Sequence, residues 1–335
     1  MARMELDELV ELATMPEIDG LVFRRYRGAE DAAALAMVRE AGAKKDRIDP
    51  LSSVESLPDA ETIKEALRYK DPLDTLLAEV NGQIVAFAYM LWWTEDTGVW
   101  VYQVNFSIMP DWRGQEIGEA LLDWAENRSR ELAEVHPTGG RVLVAANATN
   151  AEKDAVKLLK QQGYTPRFRL DEYRFDRFRS LDDSEVPVPE SFTIKPIEVE
   201  HYQEIWKAHT DAFGHDSSGD IRTKEDYRKL FESPEFDQDL WRVAWVGKQV
   251  AGIIECTVDD RRGELADLCV RPSWRRNGLA KALVHEALKV LRDKGIKHLY
   301  VNTRSDNRFG AGEMYKDLGF KLRKVFTRYV KPLHN

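Results

Sequence analysis

Gly263–Ala282, GELADLCVRPSWRRNGLAKA, is the stretch from which the rest of the chain can be read. Its apolar run from Leu265 to Val270 reads as a strand, Pro272 ends it, and Arg275-Arg276-Asn277-Gly278-Leu279-Ala280 leads into the helical pattern ALVHEALKVL. Backbone N–H groups therefore gather where strand gives way to helix. The first amides of a helix lack intrahelical partners and lie at the positive end of its dipole, and a glycine there lets an anion approach the backbone. The spacing predicts a phosphate cradle.

Downstream come a second strand, HLYVNT (His298 to Thr303), then Asn307, then a helix carrying Met314-Tyr315 and closing on Leu318-Gly319-Phe320. Taken in this order, Arg-x-x-Gly-x-Ala after a strand, a strand, an asparagine and Tyr-x-x-x-Gly-Phe resemble the acyl-CoA signature of the GNAT superfamily of N-acyltransferases. The resemblance implies an α/β fold, a twisted mixed sheet flanked by helices whose fourth and fifth strands splay apart. It also implies acetyl-CoA (coenzyme A) as co-substrate and no metal. The amides of Arg275, Arg276, Asn277, Gly278, Leu279 and Ala280 would hold the pyrophosphate. Main-chain groups of Leu268 and Val270 would pair with the pantetheine arm, and the backbone N–H near Cys269 would polarise the thioester carbonyl. Asn302 and Asn307 are further cofactor contacts by the same token, although Asn307 reads equally as the N-cap of the helix that follows it.

The chain holds this unit twice. LVFRRY from Leu21 is a strand, EDAAALAMVREA and ETIKEALRY are helices, and DTLLAEVNGQIVAFAYMLWW is a hairpin turning at Asn81-Gly82. A strand, a loop, a long helix, the strand RVLVAA and the helix DAVKLLKQQGY follow, and the alternating strand RLDEYRF closes the unit. After the Pro- and acid-rich connector SLDDSEVPVPES the order begins again, with Gly247-Lys248 at the second hairpin turn. Ile108-x-Pro110 and Arg113 lie 162 residues before Val270-x-Pro272 and Arg275. The expected domains are a helical leader over 1–20, a first GNAT domain over 21–179, a linker over 180–190 and a second GNAT domain over 191–335. With 335 residues the chain has the length for two cores.

The two copies differ where chemistry would occur. The first loop, Arg113-Gly114-Gln115-Glu116-Ile117-Gly118, puts a carboxylate where the second has Gly278. A carboxylate beside a pyrophosphate repels it. Acyl transfer to an amine also needs an acid for the leaving thiolate, which the family takes from a tyrosine on the helix after the fifth strand. Tyr315 holds that place in the second copy, where its bland reading is a half-buried tyrosine beside Phe320. In the first copy, counting from either flank leaves Leu158 or Leu159 there. Catalysis is expected in the second copy alone.

The attacking amine must lose a proton to a base near the fourth strand. Glu264 and Asp267 lie on it and Glu255 on the strand before. Strict alternation puts Glu264 and Ala266 on one face and Asp267 on the other, and Glu264 is the favoured base by analogy with tandem relatives. The resemblance extends to the bacterial tandem acetyltransferases that include mycothiol synthase, which makes the acetylation of an amino-sugar thiol precursor one alternative. His215, Asp216, Trp241 and Glu255 are the candidate acceptor contacts.

A net charge of −9 argues against a broad nucleic-acid surface and suits a small-molecule amine as partner. Cys256 and Cys269 sit in apolar runs and read as small core residues. No apolar run is long enough for a membrane span and the N-terminus has no signal-peptide pattern, so a cytoplasmic protein, monomer or weak homodimer, is expected. A non-catalytic acyl-CoA sensor or scaffold is the rival from another class.

Overall fold

The computed structural model describes residues 9–333 apart from 56, 96, 138–140, 185, 214–222, 234–235 and 260–261. The chain forms two compact units, one made of the residues up to Leu170 together with those from Lys324, the other of Asp171–Arg323. In chain order the main elements are β1 (Leu21–Arg24), α1 (Ala29–Asp46), α2 (Ala60–Leu67), β2 (Thr75–Val80), β3 (Gln83–Thr94), β4 (Trp100–Ile108), α3 (Ile117–Val135), β5 (Val142–Thr149), α4 (Lys153–Gln161) and β6 (Thr165–Phe175). They continue with β7 (Thr193–Pro196), α5 (Tyr202–Phe213), α6 (Lys224–Glu232), β8 (Trp241–Val246), β9 (Gln249–Asp259), β10 (Arg262–Val270), α7 (Leu279–Asp293), β11 (His298–Arg304), α8 (Ala311–Asp317) and β12 (Lys321–Pro332).

In the first unit β1 to β4 pair antiparallel in sequence order and β4 pairs parallel with β5. The second unit repeats this from β7 to β11. Each hairpin turns where the sequence places it. Asn81 and Gly82 both take positive φ, as a two-residue turn matching the strand twist demands, and Val80 faces Gln83 across it. Each sheet packs apolar residues against helices on its faces. Leu121, Leu122 and Ala125 of α3 meet Ala86, Ala88 and Val104 in the first unit, and Leu283, Val284 and Leu288 of α7 meet Val243, Ala251 and Ile253 in the second.

Two features depart from the sequence reading. The described part of the expected leader helix, residues 9–20, contains no helix. Leu9 instead bridges Arg24 and the Val10 amide donates to the Phe23 carbonyl, so this segment extends along β1, whose outer edge has free backbone groups to satisfy. The second departure concerns the strand that closes the first unit. RLDEYRF was expected to close the first unit, but the strand beside β5 is β12, antiparallel from Phe326 opposite Thr149 to Pro332 opposite Leu143. From Asp171 onward β6 belongs to the second unit. A strand's residue pattern states that it has two faces without stating which neighbour it joins. The sequence boundaries 21–179 and 191–335 are therefore crossed by β6 and β12. Among the described residues no helix is long and apolar enough to cross a membrane.

Candidate active site

The site begins with a divergence of strands. β10 and β11 pair in parallel from Arg262 opposite His298 to Leu265 opposite Val301, and there the pairing ends, while β10 runs on beside β9 to Val270. A β-bulge marks the same point. Leu265 faces Cys256 but Asp267 faces Glu255, so Ala266 is an extra residue without a partner on β9. The consequence overturns strict alternation. Thr257 and Glu255 share a face of β9, and their partners Glu264 and Asp267 therefore share a face of β10.

The divergence opens a cavity of about 700 Å³ bounded by Leu268, Cys269 and Val270 on β10, by Asn302 on β11, by Asn307 beyond it and by Tyr315 on α8. Its far end is closed by Arg275, Arg276, Gly278, Leu279 and Ala280 at the start of α7. The first intrahelical bond of α7 runs from the Ala282 amide to the Gly278 carbonyl, and the Arg275 amide, expected to face a pyrophosphate, donates instead to the Pro272 carbonyl at 3.3 Å, so the amides between these two are the ones left to a ligand or solvent. Gly278 holds φ at 79°, a left-handed conformation that a side chain would strain. An anion with an extended apolar tail fits this arrangement.

Several of the residues singled out from sequence have local duties. The Arg275 guanidinium donates to the carbonyls of Val270 and Ala212, both at 2.9 Å, and lies over the Phe309 ring, so it ties the loop to β10 and α5. The Asn277 side chain donates to the Trp274 carbonyl and does not line the cavity. Asn307 takes the amides of Phe309 and Ala311 on its side-chain oxygen, which fixes the turn into α8 and favours the capping reading. Glu264 does not line the cavity, because its carboxylate is held by Arg262 at 3.0 Å and that guanidinium stacks over Tyr300. Trp241 is a core residue, 4% exposed, packed edge-on against Phe231 and Phe236. Glu255 is buried and accepts from the Tyr227 hydroxyl at 3.3 Å. His215 and Asp216 lie outside the described residues. Tyr315 lines the cavity; burial, then the nearby Asp267 carboxylate, pushes its phenol well above the usual range. Burial raises both thiols too, Cys256 to about 12.

Models of the acetyltransferase (GNAT) family match residues 200–320 and, as an acetyltransferase (GNAT) domain, residues 71–166. Both halves belong to the GNAT family of acetyltransferases. A mycothiol acetyltransferase from Catenulispora acidiphila is 24% identical over 230 residues, 66% of this chain and 70% of that one. Among solved structures, a GCN5-related N-acetyltransferase from Sphaerobacter thermophilus is similar with a TM-score of 0.72 at 21% identity, covering 96% of this chain and 98% of that one. A tandem GNAT protein from the clavulanic acid biosynthesis pathway is similar with a TM-score of 0.61 at 14% identity, covering 94% and 99%.

The first GNAT unit keeps the backbone path of the loop with different side chains along it. Gly114 and Glu116 hold the same left-handed conformations as Arg276 and Gly278, so glycine and side chain have exchanged places on one backbone path. The smaller cavity there, about 400 Å³, is crossed by Arg113, which forms a two-pronged pair with Asp46 and reaches Asp154. The Tyr164 amide donates to the Leu159 carbonyl as the Phe320 amide does to Tyr315, which assigns Leu159 to the tyrosine's place. It is fully buried and carries no proton to give.

Sequence reasoning missed His209 altogether and did not favour Asp267. His209 on α5 is 3% exposed, and its Nε2 lies 2.8 Å from Oδ2 of Asp267, which lines the cavity. Its helical segment, WKAHTDAF, carries an amphipathic pattern in which a histidine reads as one more residue of the buried stripe.

Proposed function

We propose that this acetyltransferase moves an acetyl group from acetyl-CoA to the primary amine of a small molecule, and that the second unit does the chemistry. The observation carrying this reading is that one cavity joins the amide-rich start of α7 to the buried Tyr315, whereas the first unit has Leu159 in that place. Acetyl-CoA is consumed as a co-substrate. The amides and Arg276 would meet its pyrophosphate, and the β10 edge freed by the splay would pair with the pantetheine arm. A phenol whose pKa is raised stays protonated at neutral pH, so Tyr315 is suited to donate to the departing thiolate and unsuited to act as a base. The Asp267 carboxylate lines this cavity, which favours a cationic acceptor. A narrower reading, an amino-sugar thiol as acceptor, is favoured by relatives named mycothiol acetyltransferase along some two thirds of the chain.

Calorimetric titration of the intact protein with acetyl-CoA tests the assignment. One site per chain is expected, weakened about tenfold or more by Arg276→Glu, since reversing a charge beside a phosphate removes an attraction and adds a repulsion. Two sites per chain, or one indifferent to Arg276→Glu, would overturn it.

A further inference from the structure

We propose that Asp267, held by the buried His209, is the base that takes the proton of the acceptor amine, and that Glu264 is not. The inference rests on reading the second unit's cavity as the acetyl-transfer site. A primary alkylamine is an ammonium near neutral pH and has no lone pair to attack with until a proton leaves it. The group receiving that proton must stand in the same cavity as the acid that serves the leaving sulfur.

Of the three carboxylates on this face, Asp267 alone lines the cavity, and it lies near enough to Tyr315 for its charge to raise that phenol. The bulge at Ala266 is what turns it there; an unbroken β10 would point it to the other face. Glu264 is bound to Arg262, and Glu255 takes the Tyr227 hydroxyl. His209 has a positioning role. Its Nδ1 is buried without a hydrogen-bond partner among the described residues, so a hydrogen there would have no acceptor, and the geometry points to the tautomer whose N–H is on Nε2 and donates to Asp267 Oδ2. This bond fixes the carboxylate and leaves Oδ1 for the amine. Rings of Phe213 at 4.8 Å and Tyr227 at 5.7 Å hold the imidazole in place.

The protons balance. The acceptor ammonium gives one proton to Asp267, and its nitrogen pair forms the N–C bond as the carbonyl π pair moves to oxygen. When the C=O re-forms, the C–S bond breaks and the sulfur takes the Tyr315 proton. The nitrogen, now an N-protonated amide, returns a proton to the tyrosinate, and Asp267 loses its own to solvent. Amide, thiol and one released proton result.

The titratable groups facing Asp267 are His209 from α5, Glu255 from β9, Tyr315 from α8 and Cys269 on its own strand. Proton NMR of the ligand-free protein should show a downfield imidazole N–H that moves upfield in Asp267→Asn and vanishes in His209→Gln. Thiol release is then followed with glucosamine, ethanolamine and lysine as acceptors. Asp267→Asn is expected to lower kcat about 100-fold near neutral pH, to recover about tenfold per pH unit as free amine accumulates, and to leave acetyl-CoA affinity within about twofold. His209→Gln, which keeps an N–H for Asp267, should retain more turnover than His209→Leu. No downfield signal, or a loss falling on Glu264→Gln in place of Asp267→Asn, would overturn the base assignment alone. A wild type that binds acetyl-CoA yet acetylates none of the three amines would overturn the transfer reading together with it.

Discussion

Tyr315 shows how position and environment bear on a single residue. Its place four residues before Gly319 suggested an acid, and the structure shows its phenol buried beside a carboxylate, a setting that suits the proposed role. Both causes disfavour the phenolate, so the folded-state pKa lies above the ordinary value and the hydroxyl stays protonated through the neutral range. Replacing it with phenylalanine keeps the ring and its packing against Phe320 and Tyr173 and removes only the proton. Tyr315→Phe should therefore lower kcat by about 100-fold while calorimetry shows acetyl-CoA affinity within about twofold of the wild type. An equal fall in affinity would mean that the hydroxyl serves binding. Glu264 is the contrary case. Its position in the sequence was as suggestive, but its role depends on Arg262 beside it and on one extra residue at Ala266, and neither effect leaves a mark in the local pattern.

At the scale of elements, hairpins, long helices and the strand-loop-helix units were legible because each rests on a local rule, such as the positive φ demanded at Asn81-Gly82. The bulge was not, because a bulge is a relation between two strands and β10 shows it only against β9. The path of the loop before the long helix was legible in the second unit and obscured in the first, where its left-handed positions fall on Gly114 and Glu116. A non-glycine residue held at a φ of 64° carries strain of about 1 kcal/mol. Glu116→Gly should then stabilise the first unit by about 0.5–1 kcal/mol, read as a higher urea midpoint with unchanged slope, even though glycine gains entropy in the unfolded chain. A lower midpoint would show that Glu116 makes a compensating contact. The substitution should not create a second acetyl-CoA site, because Arg113 still crosses the cavity to Asp46 and Leu159 is unchanged.

At the scale of the molecule, the closing strand of the first unit arrives only after the whole second unit has been spelled out, and this is the part of the fold least accessible to reading along the chain. Its anchor is a pair distant in sequence. Lys324 Nζ lies 2.8 Å from the Glu55 carboxylate, whose side chain is fully buried and also accepts from the Thr149 hydroxyl and the Asp49 amide, both at 2.8 Å. A buried carboxylate with hydrogen bonds but no cation is costly, more so than the absence of both partners. Lys324→Met should destabilise the first unit by about 3 kcal/mol, and adding Glu55→Gln should restore most of the loss, because the amide keeps acceptor and donor groups in place of an uncompensated charge. Denaturant unfolding of the wild type, both single variants and the double variant gives the coupling directly. If the two changes merely add, the pair is incidental and the β5–β12 ladder with the burial of Tyr329 and Val330 holds the strand unaided. If they couple by more than about 1.5 kcal/mol, the first unit depends on a charge near the end of the chain, and truncation before Lys324 should leave that unit unfolded at temperatures where the intact protein is native.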